Sequence, residues 1–368
     1  MAAKEPKVAI VHDWLVGGGA EKVVAAISEL YPDAPIYTSY CTDEWRRNLA
    51  PARIITGYPQ HWPFSTLRKF LPVLRQHWFS HLDLSEYDLV ISSSGNGEAK
   101  GIRVRDGATH VCYCHTPTHF YWRNYNQYIE QPGFGVFNPL ARLGLKLLVG
   151  PLRRWDLRAS QGPDYYIANS NHIKADIKKY YDRDAVVIHP PVDVARFANT
   201  QNHARVGFVV VGRQQPYKRI DLAVAACSQL NLPLTVVGRG PEHNRLVAMA
   251  GPNVRFDDNA DLPAVVDHLQ HAQAFIFPTL DDFGITPVEA MAAGTPVIAY
   301  KAGGALDYVK PGVTGEFFGE QTVESLSAAL QKFSAADYKA ATISKEAESF
   351  SVDSFKTKFK QYITTISK

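Results

Sequence analysis

Cysteine is scarce in this chain. Four occur among 368 residues, Cys41, Cys112, Cys114 and Cys227, and only the middle two lie close together. That is no disulfide framework, and it suits a reducing cytosol. A metal site at Cys112, Cys114 and His115 fails on spacing, because no second ligand pair follows at zinc distances; no metal is expected. Long apolar runs are lacking too. No segment reaches the roughly 20 apolar residues needed to span a bilayer. The start, "MAAKEPKVAIVHDW", has too short an apolar run for a signal peptide. A cytoplasmic location is therefore expected.

One-sided charge is also missing. The net charge is +3, too small to mark a nucleic-acid binder. The excess is confined to the first half, +4 over residues 1–204 against −1 over 205–368. No period of 20–50 residues repeats. Neither phosphate-loop signature is present. "WLVGGGAEK" (14–22) has Lys22 where the dinucleotide fingerprint needs its third glycine, and no G-K-[ST] occurs for a Walker loop. A nicotinamide-dependent oxidoreductase is disfavoured on that ground.

What is there is an alternation of short apolar strands and amphipathic helices. "KVAIVHDWLVGGGAEKVVAAISELY" reads as a strand at Val8–Val11, a glycine loop at 17–19, and a helix from Ala20 with Val23, Val24, Ile27 and Leu30 on one face. "YDLVISSS" (87–94), "THVCYC" (109–114) and "DYYIANS" (164–170) read as buried strands. After Pro190–Pro191 and the polar stretch "ANTQNHARV", the pattern restarts with "VGFVVVG", "YKRIDLAVAACSQL", "PLTVVG", "AQAFIFP", "PVEAMAAG" and "PVIAY". The expectation is an α/β protein of two doubly wound parallel-sheet domains, residues 1–200 and 201–350, facing a cleft. A terminal helix over 351–368, with Phe355, Phe359, Tyr362 and Ile366 at helical spacing, is expected to cross back to the first domain.

Three stretches carry chemistry. "TLDDFGITPVEAMAAGTPVIA" (279–299) sets two acids, Asp281 and Glu289, around a glycine turn at the mouth of a helix. Thr286-Pro287-Val288-Glu289 fits a capping box, with Thr286 as N-cap and Glu289 at the third position. The alternative is functional. Backbone amides of Phe283, Gly284, Ile285 and Thr286 at a helix entrance suit a phosphate, and a carboxylate on each side suits vicinal sugar hydroxyls. "VVGRQQPYKRIDLAV" (210–224) places Arg213 and Lys218 after the first strand of the second domain, where two cations can hold a diphosphate. "HVCYCHTPTHFYW" (110–122) places His115 just past a buried strand, either as a turn histidine or as a site residue.

Together "GGGAEKVV", "YCHTP", "ANS", "PPVD", "VGRQQPYKRIDLAV" and "DDFGITPVEAMAAGTPVIAY" make a chain that resembles the retaining glycosyltransferases of family 4, which have the two-domain GT-B fold. The resemblance covers nearly the whole chain. It puts the family's acid-x7-acid motif on Asp281 and Glu289, with Asp281 one methylene shorter than the usual Glu. It implies that Glu289 holds the nucleotide ribose, while Asp281 and the Phe283–Ile285 amides hold the transferred sugar. Arg213 and Lys218 fall on the diphosphate-binding pair, His115 on the active-site histidine, and Gly18 and Gly19 on a glycine loop that would meet the diphosphate on closure. Asp13, at the end of the first strand, is the acceptor-side candidate.

"CYCHTP" further resembles bacterial mannosyltransferases of surface-polysaccharide assembly. That implies GDP-mannose as donor, a lipid-linked or glycan acceptor, and no required cofactor or metal. A UDP-sugar donor, an epimerase on the same fold and a nucleotide-sugar-binding protein stay open as alternatives. Two basic stretches without an acid, "HWPFSTLRKFLPVLRQHWFSH" (61–81) with Arg68, Lys69 and Arg75, and "NPLARLGLKLLVGPLRRW" (138–155) with Arg142, Lys146, Arg153 and Arg154, read either as sheet-packing helices or as contacts to an anionic membrane. The membrane reading spans 61–81 and 138–158 and would make the protein peripheral on the inner face of the cell membrane.

Overall fold

Runs of Val, Ile, Ala and aromatic residues, bounded by Gly, Pro, Asp or Ser, form two parallel sheets. The computed structural model describes residues 6–67, 72–130, 135, 138–198 and 204–367. The first sheet contains β1 (Val8–His12), β2 (Ile36–Thr38), β3 (Ile54–Thr56), β4 (Leu89–Ser94), β5 (Thr109–Cys114), β6 (Tyr165–Ala168) and β7 (Ala185–Val187), in the order β3-β2-β1-β4-β5-β6-β7. The second contains β8 (Phe208–Val211), β9 (Leu234–Val237), β10 (Val254–Asp257), β11 (Ala274–Phe277), β12 (Val297–Tyr300) and β13 (Gly315–Phe318), in the order β10-β9-β8-β11-β12-β13. Helices cover both faces, which is why every residue of β4 and of β11 is buried.

Both sheets reverse their winding at their first strand. β1 lies between β2 and β4, and β8 lies between β9 and β11. At such a switch point the connections leaving the two neighbouring strands diverge to opposite faces and leave a crevice at the carboxyl ends. The β1, β4 and β5 ends in the first sheet, and the β8 and β11 ends in the second, carry the residues singled out above.

The chain divides into Met1–Pro190 with Lys356–Lys368, and Pro191–Phe355. The divisions fall at 190 and 355 rather than at 200 and 350. The physical reason lies in the segment just after the proline pair. Val192, Val194 and Phe197 are buried in the core of the second unit, and the Val192 amide donates to Phe350 O at 2.9 Å. Residues 199–203 of the polar stretch lie outside the described residues.

The terminal helix runs Val352–Ile366. Within the first unit it buries Phe359 and Ile363, pairs Lys356 with Glu29 and sets Tyr362 edge-on to Tyr165. The buried stripe thus continues through Ile363, four residues after Phe359, and Tyr362 and Ile366 sit at its margin. Among the described residues no helix is long and apolar enough to cross a membrane.

Candidate active site

In the second unit, β8 ends in Gly212, Arg213 and Gln214, a short 3-10 turn follows at Pro216–Lys218, and the helix Ile220–Gln229 begins after Arg219. Gln214 anchors this loop. Its fully buried amide donates from Nε2 to Gly238 O at 2.5 Å and meets His243 Nδ1 at 3.0 Å through Oε1. Arg213 is left exposed, with no side-chain partner among the described residues. Lys218 turns the other way, and its Nζ donates to Asp281 Oδ2 at 2.5 Å. Thr279 fixes the turn from below, its hydroxyl donating to Tyr217 O at 3.0 Å. Lys218 and Asp281, 63 positions apart, meet because β8 and β11 are neighbours at the switch point.

The helix after β11 spans Ile285–Ala292, and its N-cap is Gly284 at φ +86°, with no side-chain cap. The capping box is therefore overturned. Thr286 and Pro287 already lie inside the helix, and Glu289 sits in its second turn, too far along to reach the N-cap amide. Glycine wins the start because the turn needs a left-handed backbone and close approach. A Cβ at Gly284 would lie 2.8 Å from both Phe277 and Tyr308 Oη. Among the described residues no N-cap side chain satisfies the first-turn amides.

Phe283 contributes backbone only. Its ring is buried against Tyr308 and Phe350, and its carbonyl accepts from the Tyr308 hydroxyl at 3.0 Å. Gly303 and Gly304 lie flush on this turn; the Gly304 amide donates to Asp281 O at 3.0 Å. Glu289, at 9 % exposure, lies on the buried face of this helix. One connection of the second sheet thus offers two cations, its neighbour offers an acid and a free helix N-terminus, and together they suit a phosphate-bearing ligand with hydroxyls.

In the first unit, the glycine loop leads into the helix Gly19–Leu30, again without a side-chain cap. Glu21 folds back so that its Oε1 accepts from the Gly17 amide at 2.8 Å and the Val16 amide at 3.2 Å. Gly17 adopts φ +120° to allow it, and Gly17 and Gly18 stay exposed while Gly19 is half-buried. Asp13 lies elsewhere in its chemistry than expected. It is 2 % exposed, and its carboxylate accepts from the amides of Gly95 (2.7 Å), Asn96 (2.6 Å) and Ala99 (2.7 Å). It shapes the loop after β4 instead of facing an acceptor, because three backbone donors consume its oxygens.

His115 follows β5. Its Nε2 lies 2.8 Å from Ser93 Oγ, and its carbonyl is held by Asn169 Nδ2 at 2.9 Å, while Ser170 caps the next helix. Burial, with the neighbouring His12, pushes its pKa down to about 3. The ring is neutral throughout the physiological range. His12 and Ser93 join it at the strand ends and were not picked out from the sequence. The available signal was their position at the carboxyl ends of strands, which is shared by many residues without function.

Below this end of the sheet, Asp156 and Lys100 form a buried ion pair at 2.5 Å. Asp156 also accepts from Thr118 Oγ1 (2.9 Å), Trp122 Nε1 (2.7 Å) and the Tyr181 hydroxyl (2.9 Å). It ties the 95–101 loop, the 116–122 segment and the helix Asn138–Ser160 into one piece. Cys112 and Cys114 are buried thiols, and burial pushes Cys112 up to about 12. Among the described residues no group of three or more His, Cys, Asp or Glu side chains is placed to hold a metal ion.

The two basic stretches part company. Arg75 is not a surface cation; it is 3 % exposed, bonded to Glu98 at 2.7 Å and stacked on Trp14. Arg68 and Lys69 lie outside the described residues. The helix Asn138–Ser160, by contrast, leaves Leu140, Leu143, Leu147 and Leu148 between 54 % and 68 % exposed, alongside exposed Arg142, Lys146 and Arg154. Arg153 faces inward, between the rings of Trp122 and Tyr125.

Residues 17–196 match the family model "Glycosyltransferase Family 4", and residues 192–350 match "Glycosyl transferases group 1". The chain belongs to the group 1, family 4 type of GT-B glycosyltransferases. The curated relatives include a D-inositol 3-phosphate glycosyltransferase of Streptomyces avermitilis, 29% identical over 187 residues, with 41% of this chain and 40% of that protein matched. Another is a glycogen synthase of Mycobacterium tuberculosis, 29% identical over 162 residues, with 40% of this chain and 39% of that protein matched. The chain thus spans about two fifths of the curated relatives it matches. Among solved structures, Anabaena HepE in complex with UDP and glucose superposes with a TM-score of 0.67 at 18% identity, over 98% of this chain and 100% of that one. The sucrose-phosphate synthase of Thermosynechococcus elongatus gives 0.70 at 18%, over 98% of each chain. At that identity the likeness shows the fold.

Proposed function

We propose that this glycosyltransferase transfers a hexose, with retention and without a metal, from a nucleotide sugar to a hydroxyl of a lipid-linked or glycan acceptor in surface-polysaccharide synthesis. The observation that carries the reading is the meeting of Lys218 and Asp281 beside exposed Arg213 and the uncapped start of the helix Ile285–Ala292. In the reaction the acceptor oxygen attacks the anomeric carbon as its bond to the diphosphate breaks. The acceptor proton passes to a phosphate oxygen. Arg213, Lys218 and the helix amides stabilise the charge that develops on the leaving diphosphate. Glu289 binds the ribose and Asp281 the transferred sugar.

GDP-mannose is the proposed donor. The choice rests on the resemblance of "CYCHTP" to the mannosyltransferases alone. A UDP-hexose is the second reading, favoured by the UDP and glucose held by the structurally similar HepE. A thermal-shift panel separates them. Stabilisation by GDP and GDP-mannose but not UDP or UDP-glucose supports the first, and the reverse pattern the second. A ligand at 100 times its Kd adds about 2.7 kcal/mol, a shift of a few degrees. No response to any nucleotide would overturn the transferase reading.

The exposed leucines and basic residues of Asn138–Ser160 support contact with the inner face of an anionic membrane, where a lipid-linked acceptor resides. Co-flotation with vesicles containing anionic lipid, lost in Leu143→Ser/Leu147→Ser, is the expected result. Equal flotation with neutral vesicles would argue against it.

A further inference from the structure

The hydroxyl of Ser93 sits between two imidazoles and decides the state of one of them. Ser93 is 0% exposed, so its hydroxyl proton must go to a protein acceptor. Its Oγ lies 3.1 Å from His12 Nδ1 and 2.8 Å from His115 Nε2, and bonds to no other described residue. His12 Nδ1 also lies 2.9 Å from the Ser93 carbonyl oxygen. A carbonyl oxygen only accepts, so His12 Nδ1 carries its proton and donates to that oxygen, with Oγ as a second and longer acceptor. His115 Nε2 is then the one acceptor left for the Ser93 hydroxyl. A nitrogen that accepts is bare, and in a neutral imidazole the proton must be on the other nitrogen.

We infer that Ser93, oriented by His12, is a positioning residue that locks His115 in the neutral Nδ1–H tautomer, so that the ring presents a hydrogen-bond donor, and no base, to an oxygen of the bound ligand. The ligand class rests on the nucleotide-sugar reading; the tautomer does not. Three adjacent strands supply the parts: His12 ends β1, Ser93 is the penultimate residue of β4, and His115 follows β5. The low pKa of His115 agrees, since a buried ring beside a second histidine stays uncharged. No described residue takes a hydrogen bond from Nδ1, so that donor remains for a sugar hydroxyl or a phosphate oxygen. A neutral donor keeps its strength across pH 5–8, whereas an imidazolium at an ordinary pKa would titrate there.

Nitrogen-15 NMR of the full chain, labelled in its histidine rings, tests this. The His115 signals are assigned by their loss in His115→Asn. The expected result is a protonated Nδ1 and a bare Nε2. In Ser93→Ala the ratio of Nδ1–H to Nε2–H forms should fall by about tenfold, the worth of one hydrogen bond. Ser93→Thr keeps the hydroxyl and should restore the ratio. An Nε2–H ring in the wild type, or a ratio unmoved by Ser93→Ala in a folded chain, overturns the inference. A merely structural serine would lower stability and leave the ratio alone. Adding inorganic phosphate, GDP and GDP-mannose then identifies the ligand oxygen. A response of Nδ1 to phosphate or GDP points to a phosphate, and a response to GDP-mannose only points to a sugar hydroxyl. GDP-mannose that binds by thermal shift yet leaves Nδ1 unmoved overturns the ligand contact. Failure of all nucleotides to bind would overturn the transferase reading and leave the tautomer intact.

Discussion

At the residue scale, the Lys218–Asp281 contact matters most. The pair is partly exposed, at 22% and 29%, so it adds little to stability, about 0–1 kcal/mol. On the proposed function its worth is in poise: Asp281 would hold the ammonium until a diphosphate competes for it. Lys218→Ala should therefore lower turnover by about 100-fold or more while the unfolding midpoint stays within about 1 kcal/mol of wild type. Steady-state rates with urea denaturation on the same preparation check this, and near-wild-type turnover would remove Lys218 from the site. Asp156 is the opposite case. Asp156→Asn leaves Lys100, 1% exposed, without its counter-charge and should cost about 3–5 kcal/mol by chemical denaturation. A loss under 1 kcal/mol would mean that the ammonium finds another partner or loses its proton readily.

At the element scale, the start of the helix Ile285–Ala292 depends on one glycine. Gly284 is left-handed at φ +86° and has no room for a Cβ between Phe277 and Tyr308. Gly284→Ala should cost about 1–3 kcal/mol and weaken nucleotide binding in step, since on the proposed function this turn sets the helix-start amides that would meet the ligand. Urea unfolding paired with a GDP and UDP thermal-shift titration reads both. Stability lost with affinity retained would place the ligand elsewhere. The helix also shows why its sequence misled. Thr-Pro-Val-Glu has the chemistry of a capping box, but the box is decided by which residue leaves helical backbone first. The packing of Phe283 and the Gly303–Gly304 loop moves that point upstream to Gly284. The same holds for Arg75, which looks like part of a basic surface in sequence but is drawn inward by Glu98 and Trp14.

At the scale of the whole molecule, buried titrating groups set the acid limit. His110 and His115 are both held at about 3 by burial, against 6.5 unfolded. The unfolded chain thus binds more protons between pH 6.5 and 3. The contribution of these rings is complete above 6.5 and is lost as pH falls through that window. Glu98 works the other way. Burial, opposed by Arg75, holds it at about 7 against 4.5, so its contribution is present below 4.5 and lost as pH rises through 7. Two histidines against one carboxyl leave a net loss of about 1.4 kcal/mol per pH unit from 6.5 down to 4.5. The melting temperature should be lower at pH 5 than at pH 7, and Glu98→Gln should steepen the fall. Equal melting at the two pH values would show that these groups keep ordinary pKa values.

Much of the molecule was legible from local pattern. Strands buried on both faces need continuous apolar runs, so β1, β4, β5, β6, β8, β9, β11 and β12 stood out, whereas β2, β3, β7, β10 and β13 are short or mixed and did not. The candidate site residues Arg213, Lys218, Asp281 and Glu289 could be singled out because their chemistry and spacing are unusual for a structural turn. Tertiary structure decided the rest. It decided that Asp13 serves three backbone amides, that the second unit begins at Pro191, and that a serine and a histidine on separate strands govern His115. A hydrogen bond between strands depends on register and on which atoms are sealed from water. Neither is written in the composition or periodicity of one segment, because each is a property of neighbours 22 to 86 residues away in the chain.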